Sequence, residues 1–461
     1  MQARLASLLL LVWLGGCGGP RAARAPTVRA PASYTRQISR WTSGLEHPLL
    51  RPIAVEPADG FDPDEVALLA VVTNPGLRTA RDRRAIAHSQ VIAAGLLPNP
   101  SLSLSVYAPI SGNTDGSVVG YSGTLAWSVQ KLFTRGPQVH AAELAQRSVE
   151  LDIAWSEWSV ALQAQLLAYQ ILLLQQAQGV HQANIAELQA TLSSVRHAAD
   201  AGAITASRLA SIEAVLSQAQ LASANTNRDL DVRKAELQGL LGGMEGVVDR
   251  LTGALDPPAS IGGLQRDALL ERLAERRPDL RALEIGMRSQ SAAYRAATRK
   301  AFPALQLNFQ ASRDPGGFWA IGPGLQIGIP SFSHGQAGQA AADAQLHQLD
   351  DMFAERLNQA RQRIGVALAR LRGTRTAISI LDQAVARQQR VVELYQAARS
   401  EGTIGLLVYY AARSTLNQLR LRRLLEQGLL WQALVQLRSE SGLYRLPGAG
   451  GEDPGGADAL Q

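Results

Sequence analysis

Two stretches of this chain repeat an apolar residue every seventh position over a length that no compact domain needs. One line is Leu357, Ile364, Leu371, Ile378, Val385 and Val392. The other is Ile153, Val160, Leu167, Leu174, His181, Leu188 and Val195, interrupted by a single histidine. A strict seven-residue repeat makes helices wind around neighbours, because the apolar seam must keep facing a partner. Residues 136–201 hold no proline after Pro137 and only Gly179 as a breaker, and residues 336–400 are equally long. Some 60 helical residues at ~1.5 Å each span roughly 90–100 Å. Abundant Ala, Leu, Gln and Arg, with only 5% aromatic residues, favour such rods. Each rod returns after a glycine turn, as residues 203–241 and 404–444.

The rods come in two copies because the chain contains itself twice. Asn74-Pro75-Gly76-Leu77-Arg78 recurs as Arg277-Pro278-Asp279-Leu280-Arg281, 203 residues on. Pro100-Ser101-Leu102-Ser103-Leu104 recurs as Pro303-Ala304-Leu305-Gln306-Leu307 at the same offset of 203. Phe133-Thr134-Arg135-Gly136 matches Phe332-Ser333-His334-Gly335 at 199, and Ala201-Gly202-Ala203-Ile204 matches Glu401-Gly402-Thr403-Ile404 at 200. Four weak matches in one order make a duplication. The expected boundaries are 61–252 for the first repeat, 253–263 for a linker with Pro257-Pro258, and 264–446 for the second. Each repeat should contain a helix, a pair of strands and two long helices. Residues 18–60 read as a tether or arm, and the Pro/Gly-rich 447–461 as a disordered tail.

The strands alternate with a period of two. In residues 101–107, Leu102, Leu104 and Val106 oppose Ser101, Ser103 and Ser105. In 305–312, Leu305, Leu307, Phe309 and Ala311 oppose Gln306, Asn308, Gln310 and Ser312. In 121–129, Tyr121, Leu125, Trp127 and Val129 oppose Ser122, Thr124 and Ser128. In 319–329, Ile321, Leu325, Ile327 and Ile329 oppose three glycines and Gln326, with Pro323 marking a bend. Such alternation fits a transmembrane barrel, apolar to lipid and polar to lumen. It fits a half-buried sheet of a soluble domain equally well. The rods favour the first. Four strands cannot close a barrel, and open edges in lipid leave backbone groups unsatisfied, so several chains must share one barrel.

The N-terminus reads as an address. Arg4 precedes a short apolar run, residues 5–14, and then Gly15-Gly16-Cys17. This is a secretory signal with a small-residue cleavage site. Leu14-Gly15-Gly16-Cys17 resembles the bacterial lipoprotein signal, in which the cysteine is acylated and becomes the new terminus. Cys17 is the only cysteine of the chain, which excludes an intrachain disulfide and a cysteine-built zinc site. Gly18 stands where that resemblance would place an inner-membrane retention aspartate. Residues 1–17 are therefore expected to be a signal with acylated Cys17.

Taken together, these residues resemble the TolC-like outer-membrane efflux proteins, in the lipoprotein branch that serves resistance–nodulation–division pumps. Gly95-Leu96-Leu97-Pro98-Asn99-Pro100, Arg276-Arg277-Pro278-Asp279-Leu280-Arg281, Ala301-Phe302-Pro303-Ala304-Leu305 and Ile329-Pro330-Ser331-Phe332-Ser333-His334-Gly335 carry the resemblance. It implies an α+β membrane protein: a homotrimer whose strands build a 12-stranded outer-membrane β-barrel above a periplasmic α-barrel of coiled-coil helices. It implies passive export of substrates passed on by an inner-membrane pump through a periplasmic adaptor. It places the adaptor contacts at the inner tip, here Gly202, Ala203, Gly402 and Thr403. The stretch just after the second turn, residues 405–411, holds no carboxylate, so an acidic gate is not expected. Leu406 and Tyr410 are the candidate hydrophobic gate, or side chains that pack between helices. A lipid-anchored periplasmic coiled-coil scaffold and the outer-membrane component of a type I secretion system are the alternatives.

Other chemistry finds no footing. The net charge is +6 with a sequence pI of about 9.7, but no basic run accompanies it; nucleic acid is not an expected partner. No histidine pairs at metal-ligand spacing, and no nucleophile elbow or phosphate loop occurs, so no cofactor, metal or catalytic residue is expected. Asp350, Asp351 and Glu355 read as a solvated face. Arg361, Arg363, Arg370, Arg372 and Arg375 read either as lumen lining or as outward ion-pair partners. Trp127, Phe318 and Trp319 suit a membrane interface or a packed core.

Overall fold

The computed structural model describes residues 49–50, 55, 58–111, 116–200, 205–244, 246–256, 264–299, 303–332 and 334–443. Cys17, expected to be acylated, Gly202 and Ala203, expected at the tip, residues 18–48 of the expected arm and residues 447–461 of the expected tail lie outside them.

Within the described residues the element order repeats. The first half runs α1 (Pro63–Thr73), α2 (Pro75–Gly95), β1 (Ser101–Tyr107), β2 (Gly120–Ser128), α3 (Gln130–Asp200) and α4 (Ala206–Leu240). After a 3-10 turn at Val248–Arg250, the second half runs α5 (Arg266–Leu270), α6 (Leu273–Arg276), α7 (Pro278–Arg299), β3 (Ala304–Arg313), β4 (Trp319–Gly328), α8 (Gln336–Ser400) and α9 (Leu406–Ser441). The helix expected before each strand pair is broken, at Asn74-Pro75 and at Arg277-Pro278. Proline at a first helical position starts a new helix without losing a needed donor.

α3 has 71 residues and α8 has 65, about 100 Å each. The seven-residue lines face inward: Ile153, Leu167, Leu188 and Val195 are buried on α3, and Ile364, Leu371 and Val392 on α8. On α8 a second line of small residues, Ala360, Ala367 and Thr374, is buried beside the first, which lets helix backbones approach closely.

One expectation needs correction. α3 starts at Gln130, not Gly136, so Pro137 lies inside it. A proline normally breaks a helix because the carbonyl four residues back loses its donor. Here that carbonyl, on Phe133, accepts instead from Arg299 Nη1 of α7 at 3.3 Å. A tertiary contact repairs the local defect.

Each half closes on a matching joint between its opening helices and the end of its last helix. Asn74 accepts from the Leu77 amide at 3.1 Å, and its Nδ2 donates to the Leu240 carbonyl at the end of α4, at 3.0 Å. In the second half Arg277 Nη1 donates to the Glu440 carbonyl near the end of α9, at 3.1 Å. Gly242 and Gly442, just past α4 and α9, share φ +66°. A side chain at Gly242 would lie 2.8 Å from the Thr73 carbonyl oxygen, and at Gly442 3.0 Å from that of Arg276. Both glycines are therefore required twice over, by backbone sign and by space. Gly243 has φ +81° but nothing within 4 Å of an added Cβ. Gly442→Ala is expected to cost about 2–3 kcal/mol and Gly243→Ala about 1 kcal/mol. Urea midpoints of the two variants check this; equal losses would show that the joint can open.

A buried cluster surrounds these joints. It gathers Phe61, Val66 and Leu69 with Ala164, Ala168 and Ile171 of α3, Leu237 of α4, Ile364 and Leu371 of α8, and Leu430 and Leu434 of α9. α1, the 3-10 turn, α5 and α6 thus form a belt on one face of the rods.

Candidate functional site: the strand wall and the helical tip

The four strands form one antiparallel sheet in the order β1-β2-β3-β4. Its register carries the period-two pattern across every pair. Leu102 pairs Leu125, Leu125 pairs Phe309, Leu307 pairs both Trp127 and Leu325, and Leu305 pairs Ile327. Residues facing each other across a ladder share a face, so these side chains make one continuous apolar surface. The other surface gathers Ser103 opposite Thr124, Thr124 opposite Gln310, and Gln306 opposite Ser128 and Gln326. A one-residue slip at any pair would have mixed the two faces.

The apolar face is open to the surroundings, as are Ser101, Ser103 and Ser105 on the other face of β1. Leu104 is 76% exposed, Val106 72% and Ile321 74%. Among the described residues no helix is long and apolar enough to cross a membrane. A water-facing surface of this kind is strongly unfavourable at ~25 cal/mol per Å² of apolar area, whereas lipid accepts it. Trp127 stands on this face at one end of β2, its Nε1 donating to the Pro98 carbonyl at 2.8 Å. Trp319 stands at the opposite end, edge-on to Tyr121 with ring centroids 5.5 Å apart. Aromatic residues at both ends of an apolar band are the girdles of a membrane barrel. The outer strands β1 and β4 each pair on one side only within the chain, which leaves two edges for other copies.

At the far end of the rods lies the tip. α8 ends at Ser400, and Gly402 turns the chain with φ +75°, its amide donating to the Arg399 carbonyl at 3.0 Å. Thr403 closes the last turn twice on the Ala398 carbonyl, through its amide at 3.0 Å and its Oγ1 at 2.8 Å. Nothing lies within 4 Å of an added Gly402 Cβ, so this turn faces open space. Leu406 and Tyr410 are half-buried. Both pack against the cluster of Leu188, Leu192, Val195, Ile212 and Leu216 on α3 and α4. Leu407 and Val408 beside them are exposed.

The sequence reading missed the polar clasp that holds this tip together. Glu187 of α3 accepts from Tyr409 Oη at 2.9 Å and from Arg413 Nε at 3.0 Å, both on α9. One turn up the rods, Asn417 Nδ2 donates to Asn184 Oδ1 at 2.9 Å. Arg399 stacks over the Tyr409 ring at 5.3 Å. Burial and the neighbouring Glu187 both push the Tyr409 hydroxyl above its usual pKa, so it remains a donor at neutral pH. No local signal marks these residues: Glu187 and Arg413 are 226 positions apart.

Further up, Arg277 is buried between three helices. It holds Asp279 through two nitrogens at 3.0 and 2.8 Å and Glu440 at 2.7 Å, and its guanidinium lies 4.6 Å from the Trp155 ring. Burial works against its charge, and the bonds to Asp279 and Glu440 more than offset it, raising its pKa. Of the five arginines noted on α8, Arg363 joins this network through Glu440 at 3.2 Å. His181 is buried on the rod seam, and burial lowers its pKa. Asp350, Asp351 and Glu355 are exposed on α8.

Residues 269–443, most of the second repeat, match the family model described as outer membrane efflux protein. Over that stretch the chain is similar to the family. No curated protein sequence matches the chain. Solved structures do. It superposes on the membrane channel CusC with a TM-score of 0.68 at 18% identity, covering 91% of this chain and 99% of that one. On the outer-membrane channel OprN the TM-score is 0.70 at 17% identity, with 92% and 98% covered. On the open state of the Neisseria gonorrhoeae MtrE outer membrane channel it is 0.65 at 18% identity, with 84% and 90% covered. At such identities the likeness establishes the fold over both repeats of the chain.

Proposed function

We propose that three copies of this chain form a passive outer-membrane exit duct of a tripartite efflux system. The observation that carries this reading is the single continuous apolar face of an exposed, open-edged sheet, set on rods about 100 Å long. Three copies place β4 of one beside β1 of the next and close 12 strands. The apolar face meets lipid, the Ser/Thr/Gln/Asn face meets water, and the rods extend the tube through the periplasm. An inner-membrane pump, of the resistance–nodulation–division type, delivers substrate through an adaptor that meets the tip. A duct performs no bond chemistry; its selectivity rests on pore radius and lining charge.

The finer assignments belong to the same reading. Gly402 and Thr403, with Gly202 and Ala203, form the adaptor contact, which the open turn at Gly402 supports. Leu406 and Tyr410 belong to the gate, as side chains that must leave their packing on α3 and α4 when the tip widens. Cys17 carries acyl chains, each worth ~0.8 kcal/mol per buried CH₂. Cys17→Ser is then expected to abolish incorporation of labelled palmitate while the barrel still assembles. Incorporation into the serine variant would rule the anchor out.

The test of the duct is conductance of the purified protein in a planar bilayer with its mass measured alongside. Discrete conductance from a three-chain species is expected. A monomer without conductance would instead support a lipid-anchored scaffold. The strand faces offer a second check: Leu104→Lys should cost about 2–4 kcal/mol of barrel stability on the lipid side. Ser103→Lys on the lumen side should cost little. Equal effects would put the apolar face elsewhere than in lipid.

A further inference from the structure

A cavity of about 530 Å³ opens between α4 and α9 across the surface of α3. Its size falls within the range of sites that hold small organic molecules, ~300–1,000 Å³. Leu174 and Ala177 form its floor, Val232 one wall, and Leu421 and Leu425 the other. Two of these are conspicuously open to solvent, Leu425 at 65% and Val232 at 49%.

Which side of the wall the cavity opens on follows from the belt. On α3, Asp64 of α1 bonds Gln165, and Gln165 lies roughly 140–180° around the helix from Gln170, Leu174 and His181. On α4, Asp249 of the 3-10 turn bonds Lys234, roughly 140–160° from Asp229 and Val232. On α9, Asp256 in the segment that leaves the 3-10 turn pairs Arg423, which lies roughly 160° from Leu421 and Leu425. All three helices thus carry the belt on one face and the cavity on the opposite face. A tube that conducts cannot hold the belt inside it. The belt is outside, and the cavity opens into the lumen.

The polar groups of the cavity accept hydrogen bonds. Gln170 Oε1 is buried and has no partner among the described residues, which leaves a desolvated acceptor without a donor. Asp229, with Arg228 Nη2 3.4 Å from one of its oxygens, supplies a carboxylate at the α4 wall, and His181 a ring whose pKa burial lowers. Arg233, also on that wall, is engaged by Glu236 at 2.8 Å.

Resting on the duct reading above, we propose that this cavity is a lumenal subsite that briefly holds an amphipathic amine: its apolar body against Leu425, Leu421 and Val232, its N–H donors toward Gln170 Oε1 and Asp229. Such a site lines the exit path with a surface that an apolar cargo can follow, where bare water would leave that cargo solvated.

The test uses the purified full-length trimer in a planar bilayer with 1-naphthylmethylamine as probe. Without probe, discrete conductance establishes the duct, and its absence overturns the duct reading itself. With probe, wild type should show transient current blocks. Leu425→Trp fills the cavity with an indole and should shorten the blocks about tenfold. Val232→Trp on the other wall should do the same, so a folding failure of one variant leaves the other. 1-Naphthoate, with the same ring system and a carboxylate, should give no long blocks. A charged methanethiosulfonate reagent should lower the conductance of Leu425→Cys stepwise and leave wild type unchanged. Conducting trimers with no blocks, or with equal blocks in wild type and both tryptophan variants, overturn the site. Equal blocks from naphthoate overturn the head-group assignment. An unresponsive Leu425→Cys puts the cavity outside the lumen and overturns the proposal as well.

Discussion

Arg277→Leu is expected to destabilise the chain by about 3–5 kcal/mol, enough to prevent assembly at 37 °C. The arginine side chain is 4% exposed, Asp279 2% and Glu440 9%. Removing the guanidinium leaves two carboxylates buried side by side. Their remaining partners are outlying: Arg356 is 3.7 Å from Asp279 and 41% exposed, and Arg363 is 56% exposed. The Trp155 face also loses its cation. Because the network joins the start of α7 to the end of α9 beside α3, the loss opens the joint of the whole second repeat. Urea unfolding followed by circular dichroism measures the effect, with Arg370→Leu on the exposed face of the same rods as a control expected within about 0.5 kcal/mol. A loss below about 1 kcal/mol for Arg277→Leu would mean that the buried charges rearrange into solvent.

Glu187→Gln is expected to act on conductance far more than on stability. The carboxylate is 24% exposed and its partner Arg413 28%, so the ion pair contributes only about 1 kcal/mol. Yet the pair and the Tyr409 hydroxyl are the polar ties between α9 and α3 nearest the tip. Glutamine keeps the size, removes the charge that Arg413 answers, and weakens the Tyr409 bond. With the clasp loosened, the tip end of α9 swings and single-channel conductance should rise severalfold. Glu213→Gln is the control, since Glu213 pairs Arg196 at 2.7 Å within the α3–α4 hairpin alone. Unchanged conductance in an intact Glu187→Gln trimer would remove the clasp from the gate.

The regular elements were readable because their information is local. β1 spans residues 101–107 as the alternation required, and α8 spans the proline-free stretch 336–400 around the seven-residue line. The start of α3 was misplaced for an instructive reason. Pro137 carries a strong local signal against a helix, and the Arg299 side chain that cancels it comes from the other repeat. The clasp at Glu187 and the network at Arg277 were unreadable for the same reason. An ion pair between residues 163 or 226 positions apart leaves no periodicity. The matching glycines at 242 and 442 also went unmarked, since a φ of +66° is a property of the joint and not of its neighbours in sequence.

The sequence by itself determined the duplication, the two rods, the strand faces and hence the need for several chains around one barrel. These follow from periods of two and seven, which backbone geometry converts directly into surfaces. Only the tertiary structure decided which strand pairs which, that the large aliphatic residues of all four strands share one face, which polar groups clasp the tip, and that an apolar cavity lies opposite the belt. Those depend on where helices separated by two hundred residues cross, and that is set by packing of the whole chain rather than by any segment of it.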